Sequence, residues 1–373
     1  MKKIALVLAM IMALSLCAPA LAEDTIKIGG IGPLTGGAAM YGIPIRNGAQ
    51  LYIDQLNAQG GINGVKVEFV WEDDAGKNEQ AQKLYYDYYD DGFAAILGPV
   101  LTDQCNVVGV LADEDGIPMV TPSGTAFDIT ANKTFVYRSC FIDEFQGYVM
   151  ANYAAETGYK NVAILYGADS AYSMGLVAAF EAQAKVKGLT IVAKEAANFT
   201  DIDFKSQLTN IKNAKPDAVF LPYYGDAMAL ILPQAKEVGL ETIYLGADGT
   251  ANVVENIADK SLLTSVVYSD HFAFDSDDEA VVNFVSGYTA KYGEKPEISF
   301  AATGYDAALV LCEAIKAAGT TDHDAVNEVL KNISVEGVSG VISFDENNNP
   351  VKSAFVMGFD AEGNKHFVTR VDP

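Results

Sequence analysis

Short apolar, β-rich runs alternate along the chain with longer stretches in which apolar positions recur three and four residues apart. Such alternation predicts strand–helix–strand units built on parallel sheets. Strands fit Thr25–Ile31, Lys66–Trp71, Ala94–Gly98, Ile117–Thr121, Asn161–Tyr166, Thr190–Glu195, Ala218–Leu221, Thr242–Gly246 and Ser265–Phe272. Between them, Ile45–Asn57 sets Ala49, Ile53 and Leu56 at helical spacing and stops at Gly60-Gly61, while Asn78–Asp91 sets Ala81, Leu84, Tyr85 and Tyr88 on one face. Helices in the gaps cover both faces of each sheet. One series of units runs to about Phe141 and a second follows it, which predicts two α/β lobes, and 373 residues suffice for two cores. No Pro/Ser-rich linker lies between the series, so the connecting strands would serve as hinges.

Charge narrows the partners. Lys and Arg total 25 against 49 Asp and Glu, a net charge of −24, which opposes contact with phosphate backbones and excludes nucleic acid as a partner. Ahead of the first strand, Lys2 and Lys3 precede an apolar run from Ile4 to Cys17 and then Ala20-Leu21-Ala22. Residues 1–22 therefore read as a signal peptide cleaved after Ala22, too short to span a bilayer, and the mature chain is expected in the periplasm or on the extracellular face. Lipid anchoring at Cys17 is the weaker reading, because Leu16 stands where that signal wants a small residue. Beyond the leader, Cys105, Cys140 and Cys312 are odd in number and lack metal or redox spacing. They read as buried free thiols, with a Cys105–Cys140 bridge as the alternative.

Enzyme chemistry lacks its parts. His271, His323 and His366 are scattered without zinc-protease spacing, and there is no GxSxG elbow. The glycines from Gly29 to Gly37 put Thr35 where a dinucleotide fingerprint needs its third glycine, so no cofactor is expected, and they read as a strand-to-helix turn that lets backbone approach a cleft. Asp345-Glu-Asn-Asn-Asn-Pro350 lacks the glycine and the final Glu of a calcium loop and reads as a hairpin turn, so no metal is expected either.

Open α/β sheets bind ligands beyond the carboxyl ends of their strands, where helix N-termini offer free N–H groups. Three such segments stand out: Gly98-Pro-Val-Leu-Thr102-Asp-Gln, with Thr102 as N-cap of a helix to Asp115; Pro122-Ser123-Gly124-Thr125; and Ala247-Asp248-Gly249-Thr250. Taken singly each is a cap or a turn. Together they supply hydroxyls, N–H groups and one carboxylate, the set an amino-acid zwitterion needs.

The order and spacing of Gly32-Pro-Leu-Thr-Gly36, Asn57-Ala-Gln-Gly-Gly-Ile-Asn-Gly64, Ile117-Pro-Met-Val-Thr-Pro122, Gly304-Tyr-Asp-Ala-Ala308 and Gly337-Val-Ser-Gly-Val-Ile-Ser-Phe-Asp345 resemble the periplasmic leucine/isoleucine/valine-binding protein family, the type I solute-binding proteins of ABC importers, over nearly the whole mature chain. The resemblance implies an α/β fold of two Rossmann-like lobes joined by three crossovers, with one lobe from 23–141 and 273–350 and the other from 142–272 and 351–373. It implies a monomer that binds an amino acid, branched-chain or otherwise apolar, and hands it to membrane ABC permease subunits. Carried over by position, Thr102 would hold the ligand carboxylate, Ser123 and Thr125 both ends of the zwitterion, and Asp248 the α-ammonium. Tyr172 and Tyr224 would press on the ligand from the second lobe, and Tyr41 would wall its side chain. Leu101 and Gly76 stand where the family has a disulfide, and Asp103 adds a negative charge beside the carboxylate site. A sensor subunit of the same fold, or a different small amide or carboxylate ligand, remains as the rival reading.

Overall fold

The computed structural model describes residues 25–274 and 278–372; the leader expected over 1–22, with Cys17, lies outside them. Its first sheet has the order β2-β1-β3-β4-β5 and is parallel throughout, from β1 (Ile26–Ile31), β2 (Val67–Glu72), β3 (Ala95–Leu97), β4 (Met119–Thr121) and β5 (Val136–Arg138). The connecting helices α1 (Ala39–Ala58), α2 (Asn78–Asp90) and α3 (Thr102–Asp115) bury Ala49, Ile53, Ala81, Leu84, Tyr85 and Tyr88 and partly bury Leu56, the positions that the spacing of α1 and α2 singled out. Tyr88 packs closely on the sheet: a Cβ on Gly29 would lie 2.4 Å from its ring, and one on Gly30 would lie 2.3 Å from Trp71. These glycines therefore make room for aromatic rings within the sheet layers. Further along the run, a Cβ on Gly37 would lie 3.3 Å from Asp226 Oδ2, so that end of the turn does approach the facing segment.

The second sheet has the order β14-β13-β10-β9-β8-β6-β7. Its parallel part is β6 (Asn161–Gly167), β7 (Thr190–Ala197), β8 (Ala218–Phe220), β9 (Ile243–Gly246) and β10 (Val266–Asp270). Helices α4 (Asp143–Glu156), α5 (Ala171–Lys187), α6 (Lys205–Ala214) and α7 (Gly225–Val238) occupy the gaps, and short α8 (Val253–Asn256) follows β9. After β10 the chain returns to the first layer as α9 (Glu279–Tyr292), α10 (Phe300–Ala318) and α11 (His323–Leu330), with α10 packed on α1 and on β3 and β4. The hairpin β11 (Ser334–Gly337) and β12 (Gly340–Ser343) follows, and then β13 (Ala354–Phe359) and β14 (Lys365–Val371) join the second sheet antiparallel to β10 and to each other. Between β12 and β13, Phe344 bridges Pro350 and Asp345 N donates to Asn349 O at 2.9 Å, the hairpin turn expected there.

Candidate ligand-binding site

Loops at the carboxyl ends of β3, β4 and β9 converge between the sheets, where a narrow cavity is lined by Tyr41, Val100, Leu101, Ser123, Tyr172, Tyr224, Asp248, Gly249 and Phe300. None of these residues is basic. A wider recess opens beside it, shares Leu101, Tyr172 and Tyr224, and takes in Thr102, Asp103 and Gln104 at the start of α3. Thr102 is the first residue of that helix and not its cap. Leu101 holds the cap position with extended backbone and no side-chain bond, so the helix N–H groups are left for another acceptor.

Asp248 is the charged centre of the site and is buried. Its Oδ1 accepts the Tyr172 hydroxyl at 2.9 Å, Gly249 N–H at 2.9 Å and Gln146 Nε2 at 3.2 Å. Its Oδ2 faces His271 Nε2 at 2.9 Å. Gln146 is oriented in turn, because its Oε1 accepts Asp248 N–H and the Ser269 hydroxyl, each at 2.9 Å. A side chain at position 249 is excluded: its Cβ would lie 2.6 Å from the Tyr224 ring and 2.8 Å from the Tyr172 hydroxyl.

Tyr41 reaches from α1 across to the second sheet. Its hydroxyl sits 2.7 Å from both Gly249 O and Asn252 Oδ1 and accepts Gly225 N–H at 3.1 Å. The ring lies 5.4 Å from Tyr224 and 5.6 Å from Phe300, centroid to centroid. Ser123 donates its hydroxyl to Val100 O at 2.7 Å, which ties the two loops of the first sheet together. Thr125 is fully buried next to Asp143, but its hydroxyl has no aligned partner, and neither does Asp143 Oδ2. Burial pushes the Asp143 carboxyl well up, and the charge of Asp248 pushes it further.

The remaining departures also have places. A Cβ on Gly76 would lie 3.5 Å from Leu101 Cδ1, so these positions are neighbours and an apolar contact stands where the resemblance would put a disulfide. Cys105, Cys140 and Cys312 are all free and buried, which leaves the Cys105–Cys140 bridge unmade. Asp103 lies at the rim of the recess, where partial desolvation raises its carboxyl while the Ala171 N–H at the start of α5 holds it down and Asp169 raises it again. Sequence reasoning missed Gln146, Asn252, His271 and Phe300. His271 had a legible signal: Gly246 pairs with Tyr268 in the parallel register of β9 and β10, so Asp248 and His271 leave neighbouring strand ends together.

Two α/β layers with a buried acid and aromatic rings between them define a small-molecule binding protein. The chain belongs to the periplasmic binding protein family, whose profile matches residues 25–364. It is 30% identical over 333 residues to the leucine-, isoleucine-, valine-, threonine- and alanine-binding protein of Pseudomonas aeruginosa, covering 87% of each chain. Against the Leu/Ile/Val-binding protein of Escherichia coli it is 30% identical over 332 residues, 88% of each. Among solved structures, a leucine-binding protein from Thermotoga maritima superposes with a TM-score of 0.87 at 30% identity, over 94% of this chain and 99% of that one. A branched-chain amino acid binding protein from Streptococcus pneumoniae in complex with isoleucine gives 0.86 at 28%, over 94% and 100%. A Rhodopseudomonas palustris solute-binding protein in complex with 3,4-dihydroxybenzoic acid gives 0.84 at 25%, over 94% and 98%. Like the relatives, the chain is a binding protein and not an enzyme. No helix among the described residues is long and apolar enough to cross a membrane.

Proposed function

We propose that the protein is exported through its signal peptide, acts as a monomer outside the cytoplasm, captures a branched-chain or other apolar amino acid between two lobes and delivers it to an ABC permease. One observation carries this reading: a single buried acid, Asp248, faces a cavity that has aromatic and aliphatic walls and no basic residue. A single carboxylate balances one ammonium. The ligand carboxylate is then served by the uncapped N-terminus of α3 with Thr102 and by the Ser123 and Thr125 region, with no basic residue in the cavity lining. An apolar side chain between Tyr41, Tyr224 and Phe300 would meet aromatic rings and needs no polar partner of its own. The crossovers fall near Phe141, Phe272 and Pro350, which the passages from β5 to α4, β10 to α9 and β12 to β13 support. Tyr41 supports closure, because its hydroxyl bonds join elements of the two sheets.

A second reading, capture of an aromatic carboxylate that lacks an ammonium, has one observation in its favour. Four donors already surround Asp248. Mass spectrometry of the small molecules released when purified protein is denatured decides between them. A branched-chain or apolar amino acid is expected; an aromatic acid without an amine contradicts the first reading.

A further inference from the structure

Resting on the reading in which the lobes close on an amino acid, we infer that Asn252 is a positioning residue for Tyr41: its amide donates to the Tyr41 hydroxyl, commits the hydroxyl proton to Gly249 O and so slows release of the ligand. The hydroxyl has one proton to give. It accepts Gly225 N–H at 3.1 Å, while Gly249 O and Asn252 Oδ1 both lie 2.7 Å from it. Burial pushes the Tyr41 phenol well above its ordinary value, so the proton stays. A single proton serves one of these two oxygen pairs, and the other would be left in repulsive contact at hydrogen-bond distance.

A carbonyl cannot supply the missing proton, but a primary amide can. A half-turn of the amide exchanges its oxygen and nitrogen with little change of shape, so the hydrogen bonds decide which of them faces the ring. With Nδ2 there, the hydroxyl oxygen accepts from Gly225 and Asn252 on its two lone pairs and donates to Gly249 O, and each of the three short contacts is a hydrogen bond. The other end of the amide agrees. Its polar atom there is buried without a partner among the described residues, and an NH2 group in that place would strand two donors where a carbonyl oxygen leaves one acceptor. Asn252 is 1% exposed and wedged in place, since a Cβ on Gly225 would lie 2.1 Å from its amide.

The amide thus acts on the ligand through Tyr41. Tyr41 comes from α1, Gly249 and Asn252 follow β9, and Gly225 opens α7, so the bonds run between elements of the two sheets. Gly249 is held at both ends: its carbonyl takes the Tyr41 proton, and its N–H lies 2.9 Å from Asp248 Oδ1 and 3.0 Å from the Tyr172 hydroxyl. Tyr41, Tyr172, Asp248 and Gly249 all line the cavity, and Asn252 stands behind that lining. A donor outside the cavity therefore helps to hold its walls, and it does so while the lobes are together.

Stopped-flow release of L-leucine from wild type, Asn252→Ala, Tyr41→Phe and the double variant tests the coupling. Each single variant should release leucine about tenfold faster, and the double variant about as fast as Tyr41→Phe alone, because Asn252 then has no hydroxyl to hold. A merely structural Asn252 would multiply the two effects to about a hundredfold. That result, or an unchanged rate in Asn252→Ala, overturns the inference. Neutron diffraction from deuterium-exchanged crystals of wild type grown with leucine needs no variant. Two deuterons on the Asn252 atom that faces Tyr41 are expected, with the hydroxyl deuteron aimed at Gly249 O; a hydroxyl deuteron aimed at Asn252 overturns the inference even if the variants are poorly folded. Wild type that does not bind leucine overturns the amino-acid reading itself, and leucine-bound crystals in which Tyr41 and Gly249 stand apart overturn closure.

Discussion

The Tyr41 hydroxyl lies 2.7 Å from the Gly249 carbonyl, which links a helix of the first sheet to the loop that carries the acid of the second. The same hydroxyl accepts Gly225 N–H at 3.1 Å, so one oxygen joins α1 to two segments across the cleft. A ligand favours the closed form only through contacts that exist there, and these protein contacts belong to that form.

Tyr41→Phe should therefore weaken ligand binding by about 1–3 kcal/mol, because it leaves a buried N–H and a carbonyl without their partner while keeping the ring. The loss should fall mainly on the dissociation rate, which reports opening. Stopped-flow measurement of ligand release checks this: about a tenfold or larger increase in rate is expected, and an unchanged rate would remove Tyr41 from the closure mechanism.

Asp74 gives a prediction about stability. It is fully buried after β2, its Oδ2 has no partner, and burial raises its carboxyl to about 6. A folded-state value above the unfolded one means that the folded protein binds the proton more tightly, so ionised Asp74 costs stability at neutral pH and the cost fades as pH falls from about 6 toward 4. Asp74→Asn keeps the oxygen that accepts Gly76 N–H at 2.8 Å. This variant should be more stable than wild type by about 1–3 kcal/mol at pH 7.5 and indistinguishable from it near pH 4. Denaturant unfolding at the two pH values measures the difference.

Cys105, Cys140 and Cys312 are each 0% exposed, and burial raises all three thiols. Reaction follows the thiolate and its access, so a soluble thiol reagent should label none of these three in the native protein and all three in denaturant without reductant. Labelling only one of them after denaturation would reveal a disulfide between Cys105 and Cys140.

How much of this was legible in the sequence depended on how local each signal is. The strands β1 to β4 and β6 to β10 carry compact apolar runs, and the faces of α1 and α2 repeat at helical spacing, so both series could be read directly. β5 could not. Its charged Arg138 is 0% exposed because the guanidinium donates to Gly124 O at 2.9 Å and Ala126 O at 2.8 Å, and those acceptors are fixed only by the fold. β14 was hidden for the opposite reason, since most of its side chains lie at the sheet edge and nothing in Lys365–Val371 demands burial. Within the site, family resemblance pointed to Asp248 and Tyr172, which the structure joins at 2.9 Å. Gln146 reaches the same carboxylate from 102 residues away, a relation that no local pattern encodes, whereas His271 becomes readable only once β9 and β10 are placed side by side.

The central claim is that a buried carboxylate in a closing cleft recognises the ammonium of an apolar amino acid. Calorimetric titration of wild type and Asp248→Asn with L-leucine and with 4-methylpentanoate, the same molecule without its amine, tests it most directly. Wild type should bind leucine and discriminate strongly against the deaminated acid, and Asp248→Asn should lose about 2–5 kcal/mol toward leucine and most of that discrimination. Equal affinity of wild type for the two ligands, or full discrimination retained by the variant, would contradict the account.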